Sequence, residues 1–519
     1  MAFLDSLGSN IAVGFATAFS LSALFYCFVG VTLGTFIGVL PGVGVLSTIA
    51  MLMPLTFYLD PTMAIIMLAG IYYGAAYGGS TASILLNLPG TAQTAVTCID
   101  GYPMTKQGRG GIALFMTTIA SFVGSVIGIV ILAGFSLPLA EFALTFRAPE
   151  YFALMLTGLI GAALMSSDAP FKSMAMVALG VLLGLVGTDV NSGVARFSFG
   201  VAEFYDGLPL VAIALGLFGL PEVMRNAGMV SAAVLSAKDV TLRSMLPTAE
   251  DWKRSYGAML RGTWVGSFFG ALPGTGGTIA SFVSYGMEKR IHKHPEQFGK
   301  GAIEGIAGPE AANNAAVQTA FIPTLTLGIP GDAVMALILA VLMIHGILPG
   351  PDLVTGRPDM FWGLIISFLI GNIMLLVVNI PLIRIWIAVL SIPYSILCPA
   401  IVIFMCIGVY SVNYAVVDIL VLLVAGLFGV LMIMLQLPAP QLVLGLVLGP
   451  MLDEHFRRGM QLARGDIVVL FERPITAALL AISLIVVGWS VFRFVSNMRA
   501  MRAQRRDEAV LLSGARDQD

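Results

Sequence analysis

The chain has 519 residues, of which 58% are hydrophobic and 11% are charged, and its formal net charge is −2. Soluble domains carry about 25% charged residues. A soluble globular fold is therefore excluded, because it could not bury this much apolar surface. The composition places the chain in a lipid bilayer, and we expect no nucleic-acid partner.

Long apolar runs without charge predict an all-α polytopic membrane protein. They span residues 112–139, 361–381, 385–416 and 419–452. Each reaches or exceeds the ~20 residues that a helix needs to cross a bilayer core. Several runs must hold two crossings, or one crossing and a hairpin, so we expect roughly ten to fourteen membrane-embedded segments.

Lys and Arg residues are concentrated in residues 225–261, in residues 288–300 and in a tail that begins at Arg493. The positive-inside rule places all three in the cytoplasm, which makes the C-terminus cytoplasmic. No Lys or Arg precedes the first apolar run, so no secretory signal peptide is expected. The four cysteines show neither metal-ligand spacing nor a disulfide framework, and no transition-metal site is expected.

A motif of three glycines, four residues apart and followed by Leu-Pro-Gly-x-Gly, occurs at residues 30–44 and again at 262–276. Eight of the fifteen aligned positions are identical. A Pro-Gly pair follows each copy, at residues 89–90 and 330–331. Gly-xxx-Gly alone is also typical of ordinary helix packing in membranes. Duplication with the same Pro-Gly stop instead indicates a paired binding-site hairpin in two internal repeats.

The second copy predicts a re-entrant hairpin. If Arg261 and Lys289 are both cytoplasmic, the roughly 27 residues between them are too few for two crossings, which need about 40. Residues 272–277 form the predicted turn, and the first copy predicts an equivalent hairpin with its returning arm at 45–57. An odd number of crossings between the copies would invert the repeats, which is the arrangement we expect, although residues 110–220 divide into four or five segments.

These features divide the chain into five parts. The predicted parts are a first repeat (1–224, with a hairpin near 30–58 and a broken helix near 72–95), a cytoplasmic connector (225–260), a second repeat (261–473, with a hairpin near 262–286 and a broken helix near 303–345), a last transmembrane helix (474–495) and a basic cytoplasmic tail (496–519).

Small and polar residues at 72–90 and 308–332 predict an unwound helix after each hairpin. Free N–H groups at the resulting half-helix ends can bind an anion, while carbonyl, amide and hydroxyl oxygens can cage a sodium ion. The predicted substrate-binding residues are Pro41, Gly42, Gly44, Ser80, Thr81, Pro89, Gly90, Pro273, Gly274, Gly276, Asn313, Asn314, Pro330 and Gly331. The predicted cation-binding residues are Ser83, Asn87, Asn313, Asn314 and Thr326.

Two carboxylates in these segments have alternative interpretations. Glu310 falls on one helical face with Asn313, Asn314 and Gln318, and it is either a proton carrier or a neutral hydrogen-bonded group. Asp332 is either a proton or ion carrier or a partner for a helix N-terminus. Neither hairpin contains Lys or Arg, so a bound carboxylate must rely on dipoles, hydroxyls, amides and a co-bound cation. This favours coupling to a cation.

Enzymatic function is not expected. Tyr205-Asp206 and Gly331-Asp332 are similar to the motifs of membrane aspartyl proteases, but Ile329 stands where the second motif needs glycine. The chain has no phosphate-binding loop, dinucleotide fingerprint or His/Cys cluster, so no cofactor is expected beyond sodium or a proton as coupling ion. A passive channel stays open as an alternative, although duplicated broken helices favour alternating access.

Several motifs together resemble the large permease subunit of the tripartite tricarboxylate transporters. They lie at residues 38–44, 72–81, 86–90, 100–103, 308–314 and 326–331. The resemblance implies a bacterial inner-membrane permease of about a dozen helices that imports carboxylates with an ion gradient. It also implies a small four-helix membrane subunit and a periplasmic solute-binding protein as partners, and more weakly an elevator mechanism. Asp332 departs from the small neutral or hydroxyl residue expected there, and it would repel an acidic substrate unless protonated or ion-paired.

Overall fold

The computed structural model describes residues 2–40, 44–165, 170–189, 192–226, 243–390 and 394–492. Most of them are helical. The helices are α1 (Ala2–Ala18), α2 (Leu21–Val39), α3 (Val45–Thr56), α4 (Pro61–Leu86), α5 (Thr97–Lys106), α6 (Gly110–Ala143), α7 (Ala148–Met165), α8 (Pro170–Gly184), α9 (Leu210–Ala214), α10 (Leu220–Asn226), α11 (Ala249–Ala271), α12 (Gly276–Ile291), α13 (Glu304–Thr319), α14 (Phe321–Leu327), α15 (Ala333–Ile344), α16 (Pro351–Gly356), α17 (Pro358–Asn379), α18 (Ile383–Val389), α19 (Tyr394–Asn413), α20 (Val416–Met434), α21 (Ala439–Leu462), α22 (Val468–Glu472) and α23 (Pro474–Phe492).

Other regular structure in the described residues is short. Strands β1 (Gly187–Thr188) and β2 (Ala195–Arg196) pair antiparallel, with Gly187 opposite Arg196. A π-helical turn, Leu215–Gly219, joins α9 to α10, and a 3₁₀ turn, Ala92–Thr94, precedes α5. Three more 3₁₀ turns lie at Ala202–Phe204, Arg243–Met245 and Pro295–Gln297.

The predicted fold class, an all-α polytopic membrane protein, is confirmed. Six described helices are long and apolar enough to cross a membrane, namely α2, α4, α6, α17, α20 and α23, and five shorter ones are also apolar. Helix α4 is central, because 89% of the residues in its most apolar 18-residue stretch are buried. In α23 only 11% of the equivalent stretch is buried. The exposed apolar surface of the outer helices suits contact with lipid.

The glycine motifs bring two pairs of helices into backbone contact. A Cβ atom added to any of these glycines would collide with the neighbouring helix backbone. The pairs are Gly30–Met67, Gly34–Ile71 and Gly38–Ala75 between α2 and α4, and Gly262–Gly308, Gly266–Ala312 and Gly270–Ala316 between α11 and α13. Both sets advance by four residues on each helix, so each hairpin's first arm runs parallel to the helix that breaks downstream of it.

The two repeats run in opposite directions, as expected for inverted repeats. Tyr72 of α4 hydrogen-bonds to Asp332 just before α15, whereas Ser80, two turns further along α4, faces Glu310 of α13. Residues further along α4 therefore face residues earlier in the second repeat, so α4 runs antiparallel to the chain direction from α13 to α15. Beyond α4, the Asp100 carboxylate accepts N–H groups from the loop that precedes α13. Helix α5, which follows α4, thus lies beside the beginning of α13.

The predicted unwinding is wrong for most of the two segments and holds only at their C-terminal ends. Residues 72–86 form continuous helix in α4, and residues 308–327 are helical apart from Ala320, which separates α13 from α14. The Thr324 hydroxyl bonds the carbonyl four residues earlier, and the Ser83 hydroxyl lies within reach of both the Gly79 and the Thr94 carbonyl, so these polar side chains are satisfied without opening the helix. The breaks instead follow Leu86 and Leu327.

The two breaks have the same local conformation. Asn87 and Gly328 occupy equivalent positions, two residues before the Pro-Gly pair, and both adopt left-handed backbone angles, with φ values of 57° and 71°. A residue in this conformation ends a helix and redirects the chain. In the second repeat the chain then re-enters a helix at α15, where the Asp332 side chain accepts the N–H of Met335 at 2.9 Å.

The two hairpins differ. Helices α11 and α12 pack against each other and against α13, and Gly274 at their turn has a φ of 82°. The predicted returning arm of the first hairpin is helix α3, but α3 packs mainly against α19, α15 and the π-helical turn and makes little contact with α2. Pro41 and Gly42 at its turn lie outside the described residues.

Ion pairs join the helix ends on the side where α13 begins. Arg254 forms two hydrogen bonds of 2.7 Å with Glu304, and Arg261 pairs with Glu288 across the open end of the α11–α12 hairpin. Helix α11 begins at Ala249, so the end of the predicted connector is helical. Residues 227–242 and the predicted tail at 496–519 lie outside the described residues.

We expect Gly266→Ile to destabilise the protein, because its Cβ would collide with the Ala312 backbone. Overpacking of this kind costs about 1–3 kcal/mol or more. Gly286→Ile is the matched control, since nothing lies within 4 Å of a Cβ at that position. Thermal unfolding of both purified variants in detergent checks this prediction. Equal melting temperatures would show that the glycine contact does not limit packing.

Candidate transport site

Each helix break contacts the hairpin of its own repeat. In the second repeat, the Gly274 N–H donates to the Gly331 carbonyl over 2.7 Å, which links the hairpin turn directly to the break. In the first repeat, a Cβ on Gly90 would collide with the Gly38 carbonyl at the end of α2. These close approaches explain why glycine is needed there. The hairpin ends and breaks therefore form one structural unit in each repeat.

The second break also contacts residues of the first repeat. Tyr72 donates its hydroxyl hydrogen to Asp332, and Gln93 Nε2 lies 3.4 Å from the Tyr72 hydroxyl. The Gln93 side chain packs against Gly277 in the first turn of α12, and Asp332 lies beside Gly276. The two inverted repeats thus meet around Asp332, where a broken helix and a hairpin turn converge.

A second polar cluster surrounds Glu310. Its carboxylate accepts hydrogen bonds from Thr97, from Asn313 Nδ2 at 3.2 Å and from Ser121 at 3.4 Å, and Ser80 also faces it. Glu310 and Asn313 are fully buried. No Lys or Arg of the described residues forms an ion pair with Glu310. The cluster therefore holds a carboxylate among neutral donors.

Hydroxyl groups connect each break to the helix that precedes it. Ser83 donates to the Thr94 carbonyl at 2.9 Å, which holds the 3₁₀ turn after the first break against α4. In the second repeat, Thr324 accepts the Gly331 N–H at 3.3 Å. Ser83 and Thr324 are equivalent positions, but Ser83 donates to a carbonyl beyond its break, whereas Thr324 accepts an N–H at its break. Ser83 therefore has a structural partner where we predicted a cation ligand.

The structure brings together part of the predicted substrate set. Residues 273–276 and 330–331 lie in one place, and Asn313 joins Ser80 at Glu310. Thr81 is buried one residue further along α4. Pro89 is exposed, whereas its neighbour Gly90 is buried against Gly38.

The predicted cation residues do not converge on one point. Asn313 and Asn314 lie in the Glu310 cluster, whereas Asn87 is exposed at the first break. Thr326 donates to the Ile322 carbonyl of its own helix at 2.6 Å. The sequence pattern grouped these residues by polarity, but the helices carry them to separate places.

The turn of the first hairpin has a resident carboxylate that was not predicted. Glu222 of α10 accepts a hydrogen bond from Ser47 at 3.1 Å and faces the backbone N–H of Gly44, where α3 begins. The predicted anion-binding end at Gly44 is thus already next to a carboxyl group. Pro41 and Gly42, the other predicted residues of this turn, lie outside the described residues.

Sequence analysis also missed the partners of the two central carboxylates. Thr97, Ser121 and Gln93 lie outside the two segments that were singled out as polar, and their residue types do not indicate a distant partner. Tyr72 and Asp100 did lie inside motifs, but their partners are at Asp332 and in the loop at 299–302, more than 190 residues away. Only the tertiary fold makes these pairs.

Comparison with known proteins identifies the family. The family model described as "Tripartite tricarboxylate transporter TctA family" matches residues 24–444. This chain belongs to that family. It is therefore a multi-pass membrane subunit of a tricarboxylate transporter, and its family is that of the large subunit of a tripartite system.

Relatives of this TctA-family chain occur in Agrobacterium vitis. One, named an uncharacterized 52.8 kDa protein in the TAR-I ttuC' 3' region, is 48% identical over 494 residues, which covers 95% of this chain and 97% of the relative. Another, from the TAR-II ttuC' 3' region, is 49% identical over 239 residues, or 46% of this chain and 98% of the relative. No solved structure matches the chain.

In this TctA-family chain, we expect Asp332→Ala to lower stability more than Asp332→Asn does. Alanine removes the helix cap to Met335, which costs about 0.5–2 kcal/mol, and leaves the Tyr72 hydroxyl without its acceptor. Asparagine keeps an oxygen that can cap α15. Thermal unfolding of the two variants measures the difference, and equal losses would mean that the charge, not the cap, is the stabilising feature.

Proposed function

We propose that this subunit imports di- or tricarboxylates, or related organic acids, by alternating access and that sodium drives the uptake. The supporting observation is the meeting of two inverted repeats at hairpin turns and helix breaks. In secondary transporters, sites for substrate and coupling ion are built from such broken helices at the interface of the repeats. In this proposal the substrate binds at residues 273–276 and 330–331, close to Tyr72 and Gln93.

The Glu310 cluster supports coupling to a cation. Asn313 Nδ2 can only donate, and Thr97 and Ser121 also direct hydroxyl groups at the carboxylate. Donors of this kind stabilise a negative charge, but an ionised carboxylate in an apolar interior also needs a cation. Sodium at Asn313 and Asn314 would meet that need. The competing mechanism is proton coupling through Glu310 or Asp332.

Family membership supports the partners and the location that we propose. The subunit works with a small four-helix membrane protein and a periplasmic solute-binding protein in the bacterial inner membrane, with its C-terminus in the cytoplasm. The binding protein delivers the organic acid, the site closes on acid and cation, and a rigid-body movement of the hairpin-bearing domain exposes both to the cytoplasm.

The decisive measurement is uptake of labelled carboxylates into membrane vesicles that contain all three components. We expect an imposed sodium gradient to drive accumulation and a proton gradient alone to be ineffective. Glu310→Gln should reduce sodium-driven uptake at least tenfold, because the neutral side chain cannot balance a cation. Glu296→Gln, at an exposed carboxylate, is the control. Uptake that follows pH and ignores sodium would establish proton coupling, and equilibration without accumulation would indicate a channel.

The hairpin turn has its own test. Gly274→Val should abolish uptake while the protein still inserts into the membrane. Gly274 has a positive φ, and a Cβ there would collide with Ala162 of α7, so valine must displace the turn and its bond to Gly331. Gly134→Val, on an open face of α6, is the control for expression and insertion. Normal uptake by Gly274→Val would contradict a site at this turn.

A further inference from the structure

A row of buried polar side chains continues from Glu310 along the contact between α6 and α13. The two helices run parallel and approach closely, because Gly124 meets the Ala311 backbone and Gly128 meets Ala315. Polar residues recur every fourth position on both helices. We call this set the polar seam; its members are Glu310, Asn314 and Gln318 on α13 and Ser121 and Ser125 on α6.

Ser121 and Asn314, the first serine–amide pair of the polar seam, are hydrogen-bonded to each other. Asn314 Nδ2 donates to Ser121 at 2.8 Å, and Ser121 donates to the Glu310 carboxylate. One turn further, Ser125 and Gln318 repeat the same residue spacing. On parallel helices this repeat places a serine opposite an amide for a second time.

Ser125 and Gln318, the second serine–amide pair of the polar seam, form no hydrogen bond with each other. Both polar atoms of Gln318 and Asn314 Oδ1 have no hydrogen-bond partner among the described residues, and the Ser125 hydroxyl has only the Tyr77 hydroxyl within reach. All three side chains have 0% of their surface exposed. Unpaired amides and hydroxyls are costly in an apolar interior, and an apolar side chain would avoid that cost. Their grouping in one seam indicates that they bind something.

The chemistry of the polar seam favours a small hard cation. Asn314, Gln318 and Ser125 each offer a neutral oxygen, which is the ligand type that such cations prefer. Tyr77 lies nearby on α4, where it donates its hydrogen to Asn372 at 2.9 Å and keeps its oxygen lone pairs. The nearest charge is the unpaired carboxylate of Glu310. That charge attracts a cation and repels an anionic substrate, and a single carboxylate suits a monovalent ion.

We propose that the polar seam binds a sodium ion between α6 and α13, with oxygens of Asn314, Gln318 and Ser125 as ligands and Glu310 as the counter-charge one turn away. This proposal rests on the proposed sodium coupling and locates the ion. The seam lies between the arms of both repeats, since α6 contacts α4 and α13. An ion there would hold together the elements that carry the two helix breaks.

The experiment compares sodium binding by the purified full-length chain and its variants. Thermal unfolding in detergent is followed as sodium replaces choline at constant ionic strength, and binding of radioactive sodium is measured in parallel. We expect Ser125→Ala and Gln318→Met to raise the half-saturating sodium concentration at least tenfold. Without sodium, Gln318→Met should be as stable as the parent or more so, because it removes unpaired buried groups, whereas Ser125→Ala loses at most one hydrogen bond to Tyr77.

Ser136→Ala is the matched control. Ser136 is also a buried, unpaired serine of α6, but it lies roughly 16 Å further along the helix at 1.5 Å per residue. It should leave sodium affinity unchanged. Unchanged affinity in Ser125→Ala and Gln318→Met would overturn the seam site and indicate that water satisfies these groups. If the parent binds no sodium, the proposed coupling fails as well, so the two failures are distinguishable.

Discussion

The structure depends on satisfying backbone polar groups where a helix is interrupted inside an apolar protein. At membrane depth no bulk water replaces a lost helical hydrogen bond, so an interruption survives only where protein or a ligand supplies partners. Here the partner of the Gly331 carbonyl is the Gly274 N–H, and Thr324 accepts the Gly331 N–H. Backbone must approach backbone for this to happen, which explains the glycines at both places.

The same constraint explains why negative side chains lie next to the expected anion-binding ends. Glu222 faces the start of α3, and Asp332 caps α15 while it accepts the Tyr72 hydroxyl. Each carboxylate satisfies donors that substrate would otherwise meet. At the site that we propose, an acidic substrate would bind beside these carboxyl groups, and a co-bound cation would reduce the repulsion when they are ionised. The electrostatics of the site therefore supports the cation coupling that we propose.

Periodicity and spacing were reliable guides where an interaction is repeated along one helix. The glycine motifs identified the two repeats and the helices that pack within each, because close packing needs a small residue at every turn of the contact. Sequence patterns did not predict that most of the two polar segments stays helical. Ser83 and Thr324 can satisfy their hydroxyls within a helix, so polar composition at 72–83 and 308–326 did not require unwinding.

Composition and duplicated motifs were enough to establish a helical membrane protein with two repeats, the Pro-Gly pairs at their breaks, and the buried face of α13. These features depend on residues that are close together in the sequence, so they can be recognised from short stretches of it. The pairing of Tyr72 with Asp332, of Thr97 with Glu310 and of Ser121 with Asn314 across α6 and α13 depended on the fold, because each pair joins distant segments whose residue types predict no particular partner.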